Sequence, residues 1–176
     1  MKLFLCILIL VISVASGSYA QQTIQTEIPN IIEITFTSTA STSGNIVALP
    51  FTTPATYNTG ATSSFEELKV SSNNNFNVSV KSNSANFTYT GNEIADNVMP
   101  VSKLALSVTS NATGGSVGSG FSNPAYKSLS TIDQPLITGG LAGSDQMFTI
   151  KYKATPGYNY AGGEYTVDVV FTATQP

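Results

Sequence analysis

Five short runs of this chain alternate apolar with polar or small residues, and nothing in it repeats at helical spacing. Ile32, Ile34 and Phe36 alternate with Glu33 and Thr35, and Phe76, Val78 and Val80 with Asn77 and Ser79. Leu104, Leu106 and Val108 alternate with Ala105 and Ser107, and Phe148, Ile150 and Tyr152 with Thr149 and Lys151. Tyr165, Val167, Val169 and Phe171 alternate with Thr166, Asp168 and Val170. A period of two turns successive side chains to opposite faces, so each run can place one face in a core and the other in or near water. Weaker runs lie at 23–28, 46–49, 68–70, 87–89 and 98–101, and Pro29 is expected to split two strands or bend an edge strand. Turn-forming clusters separate the runs at 71–75, 91–92, 111–115, 139–140 and 161–163. This pattern predicts an all-β fold: one antiparallel β-sandwich of about 8–10 strands, Ig-like or Greek-key-like. Two long loops are expected, near 50–64 (rich in Thr, Pro and Tyr) and 111–138 (rich in Gly and Ser).

The first twenty residues read differently. Lys2 precedes an apolar run from Leu3 to Ala15 broken by Ser13, and Ser18-Tyr19-Ala20 offers small residues three and one before a cut. The expectation is a secretory signal peptide over 1–20, cleaved near Ala20-Gln21, leaving 21–176 as one sandwich domain. The apolar run falls short of the roughly 20 residues that span a bilayer, which argues against a membrane anchor, and no second apolar stretch is long enough, so no transmembrane segment is expected in the mature chain. Cys6 leaves with the leader, so an exported chain would carry no disulfide. The expected location is extracytoplasmic, in the periplasm or at the cell surface.

Charge narrows the function classes. Only 10% of residues are charged, and seven basic residues, all lysine, face ten acids for a formal net charge of −3. Nucleic acid is not an expected partner, because phosphate binding needs a basic stripe. The chain has no His and no Trp, and Cys6 is its one cysteine. That removes histidine triads, thiol nucleophiles and zinc sites, so the expectation is a non-enzyme with no metal and no cofactor. Glu66 with Glu67, Glu93 with Asp96, and Asp145 lack the dense spacing of a calcium loop and read as surface charge. The triplets beginning at Asn77, Asn86 and Asn111 fit the glycosylation pattern at the frequency chance allows in a chain so rich in Ser, Thr and Asn. Tyr57, Tyr126, Tyr158 and Tyr160 fall in expected loops, where exposed aromatic faces could stack on sugar rings.

The C-terminal region carries a resemblance. Ala161-Gly162-Gly163-Glu164-Tyr165 leads into an alternating strand through Phe171 to Ala173. This is similar to the end of bacterial WxL domains, with Phe171 where the family's Trp stands and Ala173 in place of its Leu. Phe76-Asn77-Val78 looks like the family's first Trp-x-Leu strand, again with Phe for Trp, and the resemblance runs from Phe65 to Ala173. It implies a non-covalent cell-surface protein that binds peptidoglycan, with Phe76, Val78, Tyr165, Phe171 and Ala173 as the binding positions. Archaic chaperone–usher pilus subunits end similarly, which implies a rival: a fimbrial subunit assembling by strand complementation or acting in adhesion. In that rival, residues 23–28 would be the donated strand. The expected partners are therefore peptidoglycan or another surface glycan, or other surface proteins including further copies of the chain.

Overall fold

The computed structural model describes residues 21–37, 46–92 and 98–176. The expected leader and the acids Glu93 and Asp96 lie outside the described residues. The strands are β1 (Ile32–Phe36), β2 (Ala61–Thr62), β3 (Glu66–Ser72), β4 (Phe76–Ser82), β5 (Thr88–Thr90) and β6 (Leu104–Asn111). They continue as β7 (Ser116–Val117), β8 (Lys127–Ser128), β9 (Gln134–Gly140), β10 (Gly143–Ala154), β11 (Glu164–Thr166) and β12 (Val169–Thr174). One short helix, α1 (Pro54–Thr59), and one 3-10 turn (Val101–Lys103) complete the described elements.

The fold is an all-β sandwich. One sheet runs β1-β3-β10-β6-β8, with β2 also on β10; the facing sheet runs β12-β4-β9-β7, and β5 pairs β11 separately. Every strand pairing is antiparallel. From β3 onward the chain crosses repeatedly between the sheets, so β3 pairs with β10 rather than β4, and β4 with β9 and β12. Alternation makes this work. Leu68 and Val70 of β3, Phe76, Val78 and Val80 of β4, and Phe148, Ile150 and Tyr152 of β10 all turn into one shared core. Their intervening neighbours remain half-buried or exposed.

Three sequence expectations are corrected. The run from Tyr165 to Phe171 is two strands, β11 and β12, broken at Val167 and Asp168. There the Asp168 carbonyl accepts from the Asn83 N–H at 3.1 Å, and the Asn83 side chain donates to Asp168 Oδ2 at 2.7 Å. This clasp coincides with the crossing from the β5 partner to the β4 partner. Secondly, 111–138 is not one loop, since it contains β7, β8 and the start of β9. Phe121, Leu129, Leu136 and Ile137 from it are fully buried, and that burial orders the segment. Likewise 50–64 contains α1 and β2. Thirdly, the weak runs at 23–28 and 46–49 form no strand, although Val47 and Leu49 still pack against the core. Among the described residues there are twelve strands, about 8–10 being expected, and the excess is the two-residue β2, β7 and β8.

The strand directions define two ends of the sandwich. One end gathers the starts of β1, β4 and β10 with the ends of β3, β9 and β12. The other gathers the start of β6 and the end of β10 with α1, β2, β5, β8 and β11.

Candidate functional site

The first end carries an arm. Residues 21–30 form no strand and are exposed at every position. Ile24 and Ile28 are 86% and 79% exposed, and Ile31 at the root is 64% exposed. The root is held by side chains of the β3–β4 turn. The Ile31 N–H donates to Asn73 Oδ1 at 3.0 Å, and Asn73 Nδ2 donates to the Pro29 carbonyl at 2.8 Å. Asn74 Nδ2 adds a bond to Asn30 Oδ1 at 2.9 Å, and Gln175 Nε2 donates to the Ile31 carbonyl at 2.9 Å. Beyond this clasp, the eight residues 21–28 reach about 26 Å when extended.

Beside the root lie the two long unpaired edges of the sandwich. Among the described residues, β1 pairs only with β3, and β12 only with β4. Phe36 and Phe171 meet edge-to-face across the seam at 5.9 Å between ring centres. Ile32, Ile34, Phe36, Val169, Phe171 and Ala173 all pack against the core, yet each stays only half-buried. The seam is therefore a margin at which the core is incompletely covered.

Of the five positions singled out by the WxL resemblance, two are buried and three, Tyr165, Phe171 and Ala173, are half-buried. Phe76 is 0% exposed and Val78 is 1% exposed, so neither offers a face to a ligand in this fold. A Cβ on Gly140 would lie 2.5 Å from the Phe76 ring, so the backbone packs directly on that ring and glycine is required there. Val78 is opposite Ala173 in the β4–β12 ladder, and Phe171 is opposite Val80. Phe76 and Phe171 thus stand on adjacent strands of one sheet. Tyr165 is half-buried on β11, and its hydroxyl donates to the Ala161 carbonyl at 2.9 Å.

The opposite end collects six tyrosines. Tyr57 and Tyr158 stack at 5.1 Å and 15°, with Phe51 a further 5.3 Å from Tyr57. The Tyr158 hydroxyl donates to the Pro54 carbonyl at 2.8 Å, which ties the loop after β10 to α1. Tyr160 contacts Tyr165 at 6.3 Å, Tyr165 contacts Tyr89 at 5.0 Å, and the Tyr89 hydroxyl donates to the Gly162 carbonyl at 2.9 Å. Tyr126 is apart from these rings, with Lys153 Nζ 5.8 Å from its ring centre. The four loop tyrosines therefore do not form one platform: Tyr57 and Tyr158 come together, while Tyr160 and Tyr126 join other groups. Phe51 and Tyr89, which complete the two clusters, were not singled out in the sequence. Their partners are distant along the chain, and no local pattern marks them.

Among the described residues no three acids, histidines or cysteines converge on a point. Asp145 lies 3.6 Å from Lys69 Nζ, and Asp133 lies 3.2 Å from Lys81 Nζ, both on the surface. Burial pushes the Tyr152 phenol well above its ordinary pKa, and the Glu66 carboxylate adds to that. Among the described residues no helix is long and apolar enough to cross a membrane. The chain matches no protein-family model and no curated protein.

Proposed function

We propose that this chain is an exported, non-catalytic subunit that assembles with further copies of itself at the bacterial cell surface by strand addition. The observation that carries the reading is the arm, with its alternating, exposed Ile24 and Ile28. Burying an aliphatic side chain of this size contributes about 1.5–3 kcal/mol, which the isolated chain forgoes at both positions. The arm also has backbone donors and acceptors free for a sheet edge, the usual currency of strand addition. Removal of a leader before Gln21 would free the arm's end, while the Asn73 and Asn74 bonds hold its root. A contact between an arm on one copy and an edge on the next is heterologous, so it repeats head to tail into an open fibre unless the rotation closes.

The absence of histidine and arginine, and of any cysteine after Cys6, supports the non-catalytic part of the reading. Peptidoglycan binding through Phe76 and Val78 is disfavoured, because both would have to leave the core. The test compares residues 21–176 with 30–176 by light scattering over a range of concentrations. The longer chain is expected to form species above monomer mass, and the shorter to stay monomeric with an unchanged thermal midpoint. A longer chain that remains monomeric throughout contradicts the reading. Sedimentation of the armless chain with peptidoglycan sacculi at high salt would instead assign the function to wall binding.

A further inference from the structure

The geometry points to β12 of a second copy as the edge that receives the arm, an inference that rests on the assembly reading above. Among the described strands, β2, β7 and β8 have two residues each and β5 and β11 three, too few to pair along 23–28. β1 and β12 have five and six residues and an open side.

These two edges differ chemically. The solvent face of β1 carries Glu33, and the arm carries Glu27, so pairing there brings like charges onto one face. β12 reads Val169-Val170-Phe171-Thr172-Ala173-Thr174, with no charge, proline or glycine. It has none of the side-chain devices by which edge strands discourage pairing.

The register fits as well. The Asn83 N–H bonds the Asp168 carbonyl, so in steps of two Val170, Thr172 and Thr174 face their β4 partners. Val169, Phe171 and Ala173 then turn their N–H and C=O groups off the open edge. The same three residues carry the half-buried side chains at the core margin, whereas Phe76, Val78 and Val80 on β4 are fully buried. An added strand would cover that margin with Ile24, Thr26 and Ile28. Thr23, Gln25 and Glu27 would stay on the wet face beside Val170, Thr172 and Thr174. The arm of the same copy leaves β12 uncovered, since every arm residue is exposed.

With Cys6 in the leader, single introduced cysteines report pairing without background. Q25C protein is mixed with T172C or V170C protein (β12), E33C protein (β1) or S128C protein (β8), and oxidised; separate chains make every cross-link intermolecular. The expected result is a covalent dimer with T172C or V170C severalfold above E33C and S128C. Adding I24D and I28D to the Q25C chain should lower that yield to the control level. Equal yields on all edges, or the highest yield on E33C, overturn β12 as the receiving edge. In that case, arm-dependent mass in light scattering would leave the assembly reading standing. Loss of arm dependence would overturn both.

Discussion

The two ends of the sandwich put apolar side chains to opposite uses. At the tyrosine end, rings from α1, β5, β11 and the loop after β10 pack on one another; the Tyr89 and Tyr165 hydroxyls bond loop carbonyls and that of Tyr158 bonds the first carbonyl of α1. At the arm end, Ile24 and Ile28 project from a segment that joins no sheet into water. Aromatic residues in loops suggested a binding surface, and alternation at the N-terminus suggested either an ordinary strand or a donated one. The rings instead tie down their own loop, while the alternating segment has no partner in its own fold. Surface exposure of apolar groups is informative only when the group has nothing to do at home.

The sharpest way to break this comparison is to truncate one residue from each kind of alternating run. Phe76→Ala should lower stability by about 3–5 kcal/mol, because a fully buried ring leaves a cavity beside Gly140. Ile24→Ala should change monomer stability by less than about 0.5 kcal/mol, as expected of an exposed site. Urea denaturation of both reads the contrast, and similar losses would mean that the arm is packed on its own body.

The next effect belongs to Tyr152, near the tyrosine end of β10. Its folded-state pKa is raised above the unfolded value by burial first and Glu66 second. The unfolded chain therefore ionises this phenol above about pH 10 while the folded chain keeps its proton. Stability is present in full below that pH and falls above it, by about 1.4 kcal/mol per pH unit from this group. Tyr152→Phe should remove that loss, about 1.4 kcal/mol in total between pH 9 and about 11, in a denaturation series. An unchanged slope would show that the phenol ionises equally in both states.

Smaller effects sharpen the tyrosine end. Tyr158→Ala should cost about 1 kcal/mol through the lost stacking on Tyr57 and the lost bond to Pro54. It should also speed amide exchange in α1, and no change there would deny the ring its role as a tether. The smallest effect is expected for Lys81→Ala: its exposed contact with Asp133 contributes at most about 0.5 kcal/mol.

Much of the fold was legible because alternation survives wherever a strand has one wet face. The runs at 32–36, 76–80, 104–108 and 148–152 all lie within observed strands. β9 was hidden because Pro135, Gly139 and Gly140 surround a core pair of only Leu136 and Ile137. The break between β11 and β12 was hidden because the Asn83–Asp168 clasp joins residues 85 apart. The site divides the same way. Ile24 and Ile28 were visible as a candidate strand, but whether a strand has a partner is a tertiary fact that local pattern does not contain. The Tyr57–Tyr158 stack could not be read from sequence either, since loop tyrosines carry no sign of which ring they will meet.

Amide hydrogen exchange of residues 23–28 and 169–174, followed as protein concentration is raised, tests the central claim most directly. The account predicts unprotected arm amides in dilute solution. As assembly proceeds, protection should appear in the arm and at Val169, Phe171 and Ala173 together. Arm amides already protected in dilute solution, or unprotected in the assembled protein, would contradict it.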